Sequence, residues 1–305
     1  MKDNEKLENT ARYSGKEIGD GKSKASYALI DSGAGQKLER FGDRMIARPS
    51  SLAIWKKRRP EEWRYAQATF DPDQGWRYSG KRFDDWQVTF GSTKIELRLQ
   101  SNGQVGLFPD HLTYLDLLTS AYLRAPDTCK VLNLFAFTGF ASVFLRQLGA
   151  SVCHVDLSET AIGWAKRNFE INGYVNDSKI RLIADDALTF LKRERKRGNH
   201  YSLILCDPPS FGRISKAKSW KIEEIVSQVL EDLLAVLEPE NSALFFSGHH
   251  SALGPEVLSN LISDFSRGSD SVSATGLFIP EELTEGKLIA RKLPAGHLVT
   301  YLRGV

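Results

Sequence analysis

Cysteine is scarce in this chain of 305 residues, which holds only Cys129, Cys153 and Cys206. The three form no CxxC pair and share no metal-ligand spacing with the histidines. Neither a disulfide framework nor a metal site is expected, and a reducing compartment is the simpler setting. Long apolar runs are missing as well: nothing approaches the ~18 consecutive apolar residues of a membrane-spanning helix. The opening MKDNEKLENT is polar and carries acids, which fits neither a secretory signal nor a transit peptide, so the cytoplasm is the expected location. A strong charge of one sign is also lacking. The net charge of +3 gives no global signature of nucleic-acid binding.

Local charge is sharper. Lys56-Lys57-Arg58-Arg59 and the run KRERKR, Lys192 to Arg197, are basic clusters that read either as phosphate contacts or as solvated surface. Residues 1–24 offer almost nothing to bury and read as a mobile tail. Residues 25–108 carry short apolar runs broken by turns, among them YALIDSGAGQKLERFG, DPDQGW, WQVTF, TKIELRLQ and SNGQ. This is the texture of a small β-rich domain. Trp55, Trp63, Trp76 and Trp86 fall here, and turns with alternating strands account for them as core rather than as a stacking platform.

From 109 to 305 the pattern changes. A helix with Leu112, Leu115, Leu118 and Tyr122 on one face opens it. VLNLF, SVCHVDL, KIRLIADDA, YSLILCDPP and SALFFSG then read as strands, with amphipathic helices between and after them. Ser158 is a candidate N-cap and Asn172-Gly173 a helix end. SATGLFIPEEL and KLPAGHLVTYL close the chain as a strand pair. Strands alternating with helices imply right-handed crossovers and a mostly parallel sheet covered on both faces, an α/β fold.

Chemistry in such sheets gathers outside the carboxyl ends of the strands. The loop Asn133-Leu-Phe-Ala-Phe-Thr-Gly139 has one glycine, which lets the backbone approach a ligand. It lacks the GxGxxG fingerprint, so a pyrophosphate has no cradle and NAD or FAD does not fit. A nucleoside cofactor without phosphates fits better, with S-adenosylmethionine the obvious candidate. Asp156 ends the second strand, where a carboxylate suits ribose hydroxyls; Asp185-Asp186-Ala187 ends the third, where an acid suits an adenine amine. Each acid alone also reads as a helix N-cap. Asp207-Pro208-Pro209-Ser210-Phe211 is the most specific feature. The prolines fix the backbone so that the Asp207 carboxylate projects from the sheet edge, and Phe211 can stack on an extruded base. The plainer alternative is that the prolines merely stop the strand.

VLNLFAFTGFAS, HVDLSETAIGWAKRNFEING, ADDALTFL and CDPPSFGR resemble the motifs of class I S-adenosylmethionine-dependent methyltransferases. More narrowly, they resemble the bacterial large-subunit ribosomal RNA methyltransferases that act on cytosine or guanine. The likeness covers roughly residues 103–305. YALIDSGAGQKLERFG with IARPSSLAIW resembles a shorter branch of methyltransferases. The resemblance implies a Rossmann-like, seven-stranded methyltransferase sheet behind a small N-terminal β-rich domain. It further implies cofactor contacts from Phe108, Asp110, Asn133, Phe135, Thr138, Gly139, Asp156, Leu157, Asp186 and Ala187, with Asp207 and Pro208 facing the methyl group and substrate.

Two departures stand out. His111 occupies a position where the family usually has Gln. Family members that methylate carbon 5 of cytosine carry a nucleophilic cysteine after strand five, whereas this segment is FFSGHHSALG with Ser247 near that place. A serine there is no substitute for a thiolate, and Cys206 reads as a small core residue. Direct transfer to a nitrogen of a ribosomal RNA base is therefore the expected reaction. Asp207 would serve as a weak base or positioner, and His249 and His250 as alternative bases, phosphate contacts or plain loop residues. The competing expectations are methylation of a small molecule or protein, and a non-catalytic RNA-binding protein that keeps the fold.

Overall fold

The computed structural model describes residues 26–215, 218–249, 253–283 and 290–304. The chain divides into two compact units. One contains 26–113 together with Phe278–Ala295, the other Tyr114–Leu277 together with 296–304. The division between compact units falls at 113/114, a few residues beyond the 108/109 boundary expected from sequence, and a late segment belongs to the first unit.

The first unit is built on β1 (Tyr27–Gly33), β2 (Gln36–Phe41), β3 (Arg44–Pro49), β4 (Ala68–Asp71) and β5 (Gly75–Tyr78), in that order across one sheet. Only β3 and β4 pair in parallel. β6 (Trp86–Phe90) and β7 (Thr93–Leu97) form a separate hairpin. Its fully buried side chains are mainly aliphatic, among them Leu29, Leu38, Ile46, Ile95 and Leu97, with Phe41. The four tryptophans are half-buried around them rather than forming the core. Each indole is large and carries an N–H that must be satisfied: Trp55 donates to Ser32 O, Trp63 to Asp31, Trp76 to Gln100 O and Trp86 to Phe41 O.

The late segment joins this unit through buried charge. Ser32 N and Oγ donate to Glu281 Oε1 at 2.8 and 2.6 Å. Arg291 donates to Asp31 Oδ1 at 2.6 Å and to Glu281 Oε2 at 2.8 Å. Buried carboxylates need such donors, and the Ser32–Glu281 and Arg291–Asp31 bonds join residues some 250 positions apart.

The second unit opens with α1 (Leu115–Arg124), which buries Leu118, Ala121 and Tyr122. It continues through β8 (Lys130–Leu134), α2 (Phe140–Leu148), β9 (Ser151–Asp156), α3 (Glu159–Ile171), β10 (Ile180–Ala184), α4 (Ala187–Arg197) and β11 (Leu203–Cys206). A short hairpin follows, β12 (Phe211–Ser215) with β13 (Lys218–Lys221). Then come α5 (Ile222–Ala235), β14 (Ser242–Gly248), α6 (Pro255–Ser263), β15 (Ser271–Pro280) and β16 (Lys292–Arg303), of which 278–280 and 292–295 count with the first unit. The hairpin has no counterpart in the sequence reading, because FGRIS and KSWK show no clean alternation of apolar residues.

One seven-stranded sheet runs β10-β9-β8-β11-β14-β16-β15. The first five pair in parallel, and β16 lies antiparallel to β14. Strands β8, β11 and β14 are apolar runs because helices cover both faces. Leu132, Ile204, Leu244, Phe246 and Tyr301 lie in one buried cluster with residues of α4 and α5. Helix ends follow local chemistry. Ser158 caps α3 through Ala161 N, Asp186 caps α4 through Thr189 N, and left-handed Gly149 and Gly198 close α2 and α4. Strand order reverses between β8 and β11, so the crevice outside their carboxyl ends is where a ligand belongs.

Candidate active site

The loop leaving β8 is held in an unusual shape. Phe135 and Phe137 have φ of 57° and 49°, and Gly139 has φ of 86°. Bulky side chains in the left-handed region cost of order 1–3 kcal/mol each and persist only where the surroundings enforce them. Here Ala136 N donates to Val155 O at 3.1 Å, Phe137 N to Asp156 Oδ2 at 2.8 Å and Gly139 N to Ala136 O at 3.1 Å. Phe135 packs edge-on against Trp220, and Phe137 lies against Trp164.

Asn133 and Thr138 sit beneath this loop. Asn133 Nδ2 donates to Ser142 Oγ at 2.9 Å, and that oxygen lies 3.0 Å from His154 Nδ1. Thr138 O accepts from Asn168 Nδ2 at 2.8 Å. His154 is fully buried. Burial pulls its pKa down to about 4 against an opposing hydrogen bond with the Phe137 backbone, so the ring is neutral near pH 7. Gly139 is closely packed. A Cβ there would meet Ala165 Cβ and His154 Cε1, each at 3.2 Å. The glycine therefore serves the left-handed turn and the close packing of α3.

Asp156 ties two loops at the end of β9. Its Oδ2 accepts from Phe137 N, and its Oδ1 accepts from Ser158 N at 2.9 Å. A carboxylate offers about four lone-pair sites, so this partly exposed group can still take two hydroxyl donors. Leu157 follows it with 59% of its surface exposed, an apolar face suited to a flat heterocycle. Asp185 N donates to Asp156 O at 3.0 Å, and the Asp185 carboxylate is paired with Arg193. Asp186 spends Oδ1 on Thr189 N at 2.8 Å, so the helix-cap alternative is realised there, with Oδ2 the oxygen left for an amine. Ala187 is buried behind it.

Asp207, just past β11, is the hub of the other half. Ser247 Oγ donates to its Oδ1 at 2.5 Å, and His249 Nε2 lies 3.1 Å from the same oxygen. Ser247 is buried and His249 partly exposed. His249 and His297 are placed by a reciprocal arrangement of glycines on paired strands. Gly248 stands opposite His297, and a Cβ on Gly248 would come 2.4 Å from His297 Nε2. A Cβ on Gly296 would come 2.7 Å from His249 Nδ1. Each imidazole thus uses the space of a missing side chain. Burial first, and the neighbouring His249 second, hold His297 below its ordinary pKa.

The structure brings Asn133, Phe135, Thr138, Gly139, Asp156, Leu157, Asp186, Ala187, Asp207 and Pro208 to the carboxyl edge of one sheet. Phe108 and Asp110 belong to the other unit. The side chain of Phe211, and His250 altogether, lie outside the described residues. All three cysteines are buried. Burial raises the Cys153 thiol to about 11, and burial with the Asp207 charge beside it raises Cys206 well above its usual value. Among the described residues no cluster of His, Cys, Asp or Glu is arranged for a metal ion, and no helix is long and apolar enough to cross a membrane. Sequence reasoning missed Ser142, His154 and the role of Ser247 toward Asp207. The one available signal was a histidine inside the otherwise apolar strand VCHVD.

Comparison with known proteins fits this geometry. A family model for S-adenosylmethionine-dependent methyltransferases matches residues 37–276. The solved structure of the SAM-dependent methyltransferase from Agrobacterium tumefaciens is 33% identical, with a TM-score of 0.85, covering 93% of this chain and 92% of that one. A putative methyltransferase, SMU.776, solved in complex with SAH, shares the fold at 15% identity with a TM-score of 0.71, over 98% of this chain and 80% of that one. Ribosomal RNA large subunit methyltransferase K of Neisseria meningitidis serogroup B is 30% identical over 195 residues, 63% of this chain and 52% of that protein. The corresponding K/L protein of Shewanella frigidimarina is 33% identical over 215 residues, 69% of this chain and 28% of its own length. The chain thus spans about half, or less, of the length of these curated relatives.

Proposed function

The chain belongs to the S-adenosylmethionine-dependent methyltransferase family, and from that premise we propose that it methylates a base of ribosomal RNA in the cytoplasm, by direct transfer to nitrogen. The residues at the sheet edge fit the cofactor. Asp156 keeps lone pairs for vicinal hydroxyls, Leu157 offers an apolar face, and Asp186 Oδ2 suits an exocyclic amine. When bound, S-adenosylmethionine supplies a methyl group already activated on a sulfonium. What remains for the protein is alignment, which supplies most of the acceleration when the electrophile is strong.

Asp207 with Ser247 carries the reading of nitrogen chemistry. The serine hydroxyl near the place of a carbon-5 nucleophile is committed as a donor to Asp207 Oδ1, and every thiol of the chain is buried. With one oxygen held by these donors, the Asp207 carboxylate is positioned to orient an N–H of the acceptor and to take its proton as the new bond forms. Pro208 fixes the turn that presents this carboxylate. The large-subunit ribosomal RNA methyltransferase relatives support RNA as the acceptor class.

The test is transfer from methyl-labelled cofactor into protein-free large-subunit ribosomal RNA, followed by digestion to nucleosides. Label in a nitrogen-methylated nucleoside is the expected result. Label in 5-methylcytosine would overturn direct nitrogen transfer, and label only in a protein or small-molecule fraction would overturn RNA.

A further inference from the structure

Most of the basic run of α4 is neutralised within the fold. Arg193 is paired with Asp185, Arg195 with Glu231 and Asp232 at 3.1 and 2.6 Å, and Arg197 with Glu194 at 2.9 Å. The cluster Lys56–Arg59 is handled differently. It lies on an irregular, extended run that the first unit holds in place by its backbone.

The anchor is Asp31 on β1, which is fully buried. Its Oδ1 accepts from Arg58 N at 3.1 Å and from Arg291 Nη2 at 2.6 Å, and its Oδ2 from Arg59 N at 3.0 Å and Trp63 Nε1 at 2.9 Å. Ala34 N donates to Trp55 O at 2.7 Å, Gly35 N to Ala53 O at 2.9 Å and Arg291 Nη1 to Lys56 O at 2.8 Å. A Cβ on Gly33 would come 2.6 Å from Lys57 N, so this run lies directly on the strand backbone. A buried carboxylate is costly unless satisfied. Here it is satisfied almost wholly by fixing a loop.

The outcome is strict alternation. Ala53 packs with Leu29, Ile279 and Leu293. Trp55 bonds Ser32, Lys57 bonds Gln36 Oε1 and lies over the Trp63 ring, and Arg59 pairs with Glu282. The alternate positions face water: Leu52 and Ile54 are 55% and 85% exposed, and Lys56 and Arg58 are exposed beside them. Among the described residues neither of these two cations has an acidic partner. The acids of this stretch begin only at Glu61.

We propose that residues 52–58 form an RNA-docking strip, in which Lys56 and Arg58 meet phosphates while Leu52 and Ile54 lie against an unstacked base or ribose. This rests on the reading of RNA as acceptor and names a surface for it. Two unneutralised cations match a phosphate backbone, the guanidinium in bidentate fashion. The apolar pair suits bases splayed from single-stranded regions, which is how RNA is most often read. Because the run is already fixed, little ordering entropy is lost when it binds.

The test measures affinity of the full chain for protein-free large-subunit ribosomal RNA across a salt series. Cofactor titration and thermal melting serve as fold controls. Lys56→Ala/Arg58→Ala should weaken binding about tenfold or more and flatten the log–log salt slope by about 1.4, as expected for two lost phosphate contacts to a single strand. Ile54→Ser should weaken binding without changing the slope, and Arg195→Ala/Arg197→Ala on α4, where both guanidiniums are already paired, should change little. Equal binding by wild type and the 56/58 double variant would overturn the strip while leaving RNA as acceptor, and would turn attention to an acidic protein partner. If the wild type binds no RNA, the acceptor reading and the strip fall together.

Discussion

Ser247 Oγ donates to Asp207 Oδ1 at 2.5 Å, joining the end of β14 to the end of β11 across forty residues of chain. His249 Nε2 approaches the same oxygen at 3.1 Å. One carboxylate oxygen is thereby taken up by the protein. Orientation of the carboxylate is set before any substrate arrives.

Asp207→Ala should abolish methyl transfer while leaving cofactor affinity nearly unchanged. Ser247→Ala removes one donor to a charged group, typically ~1.5–3 kcal/mol, and should slow turnover roughly 10- to 100-fold with the same cofactor Kd. Paired kinetic and calorimetric measurements check both. Loss of cofactor binding in either variant would move the pair from the acceptor side to the cofactor pocket.

Asp156 is expected to behave in the opposite way. Asp156→Ala frees Phe137 N and Ser158 N together, loosening a loop that holds two phenylalanines at positive φ. Calorimetry should show cofactor affinity falling about 100-fold or more, on the scale of two charge-assisted hydrogen bonds. Asp156→Asn keeps one acceptor oxygen and should lie between. Unchanged affinity would remove Asp156 from the site.

His154 makes a signed prediction about pH. Its folded pKa is lowered to about 4 from an ordinary 6.5 by burial, so between these values the unfolded chain binds the extra proton. Stability therefore rises with pH across that window: the contribution is whole above about pH 6.5 and lost as pH falls toward 4. The full difference is about 3 kcal/mol. His154→Gln removes the titration, and urea midpoints followed from pH 7 to 4 should fall less steeply for it than for the wild type. Parallel curves would mean that His154 titrates normally.

The α/β order was legible for a simple reason. Strands buried on both faces must be continuous apolar runs, and the helices between them must show one apolar side. The bounds of β14 and α4 coincide with SALFFSG and ALTFLKRERKR, and the Ser158 cap is where its side chain predicts. The placement of Asp156 and Asp207 at strand ends followed from the same pattern. The packing of Asn133 did not. In sequence it sits in a ligand loop, but its amide is engaged with Ser142 beneath that loop.

Sequence alone thus determined what local periodicity and turn chemistry control: the succession of elements, their capping, and the strand ends at which acids emerge. Tertiary structure decided everything that depends on partners distant in the chain. It set Ser247 and His249 on Asp207, paired each histidine with a glycine of the neighbouring strand, and drew Glu281 and Arg291 to Ser32 and Asp31. It also separated two basic clusters that look alike in sequence, pairing three arginines of one with Asp185, Glu194, Glu231 and Asp232 and displaying alternate residues of the other. The reason is physical: a charge or hydroxyl takes its role from what satisfies it, and long-range neighbours leave no periodic trace in the sequence.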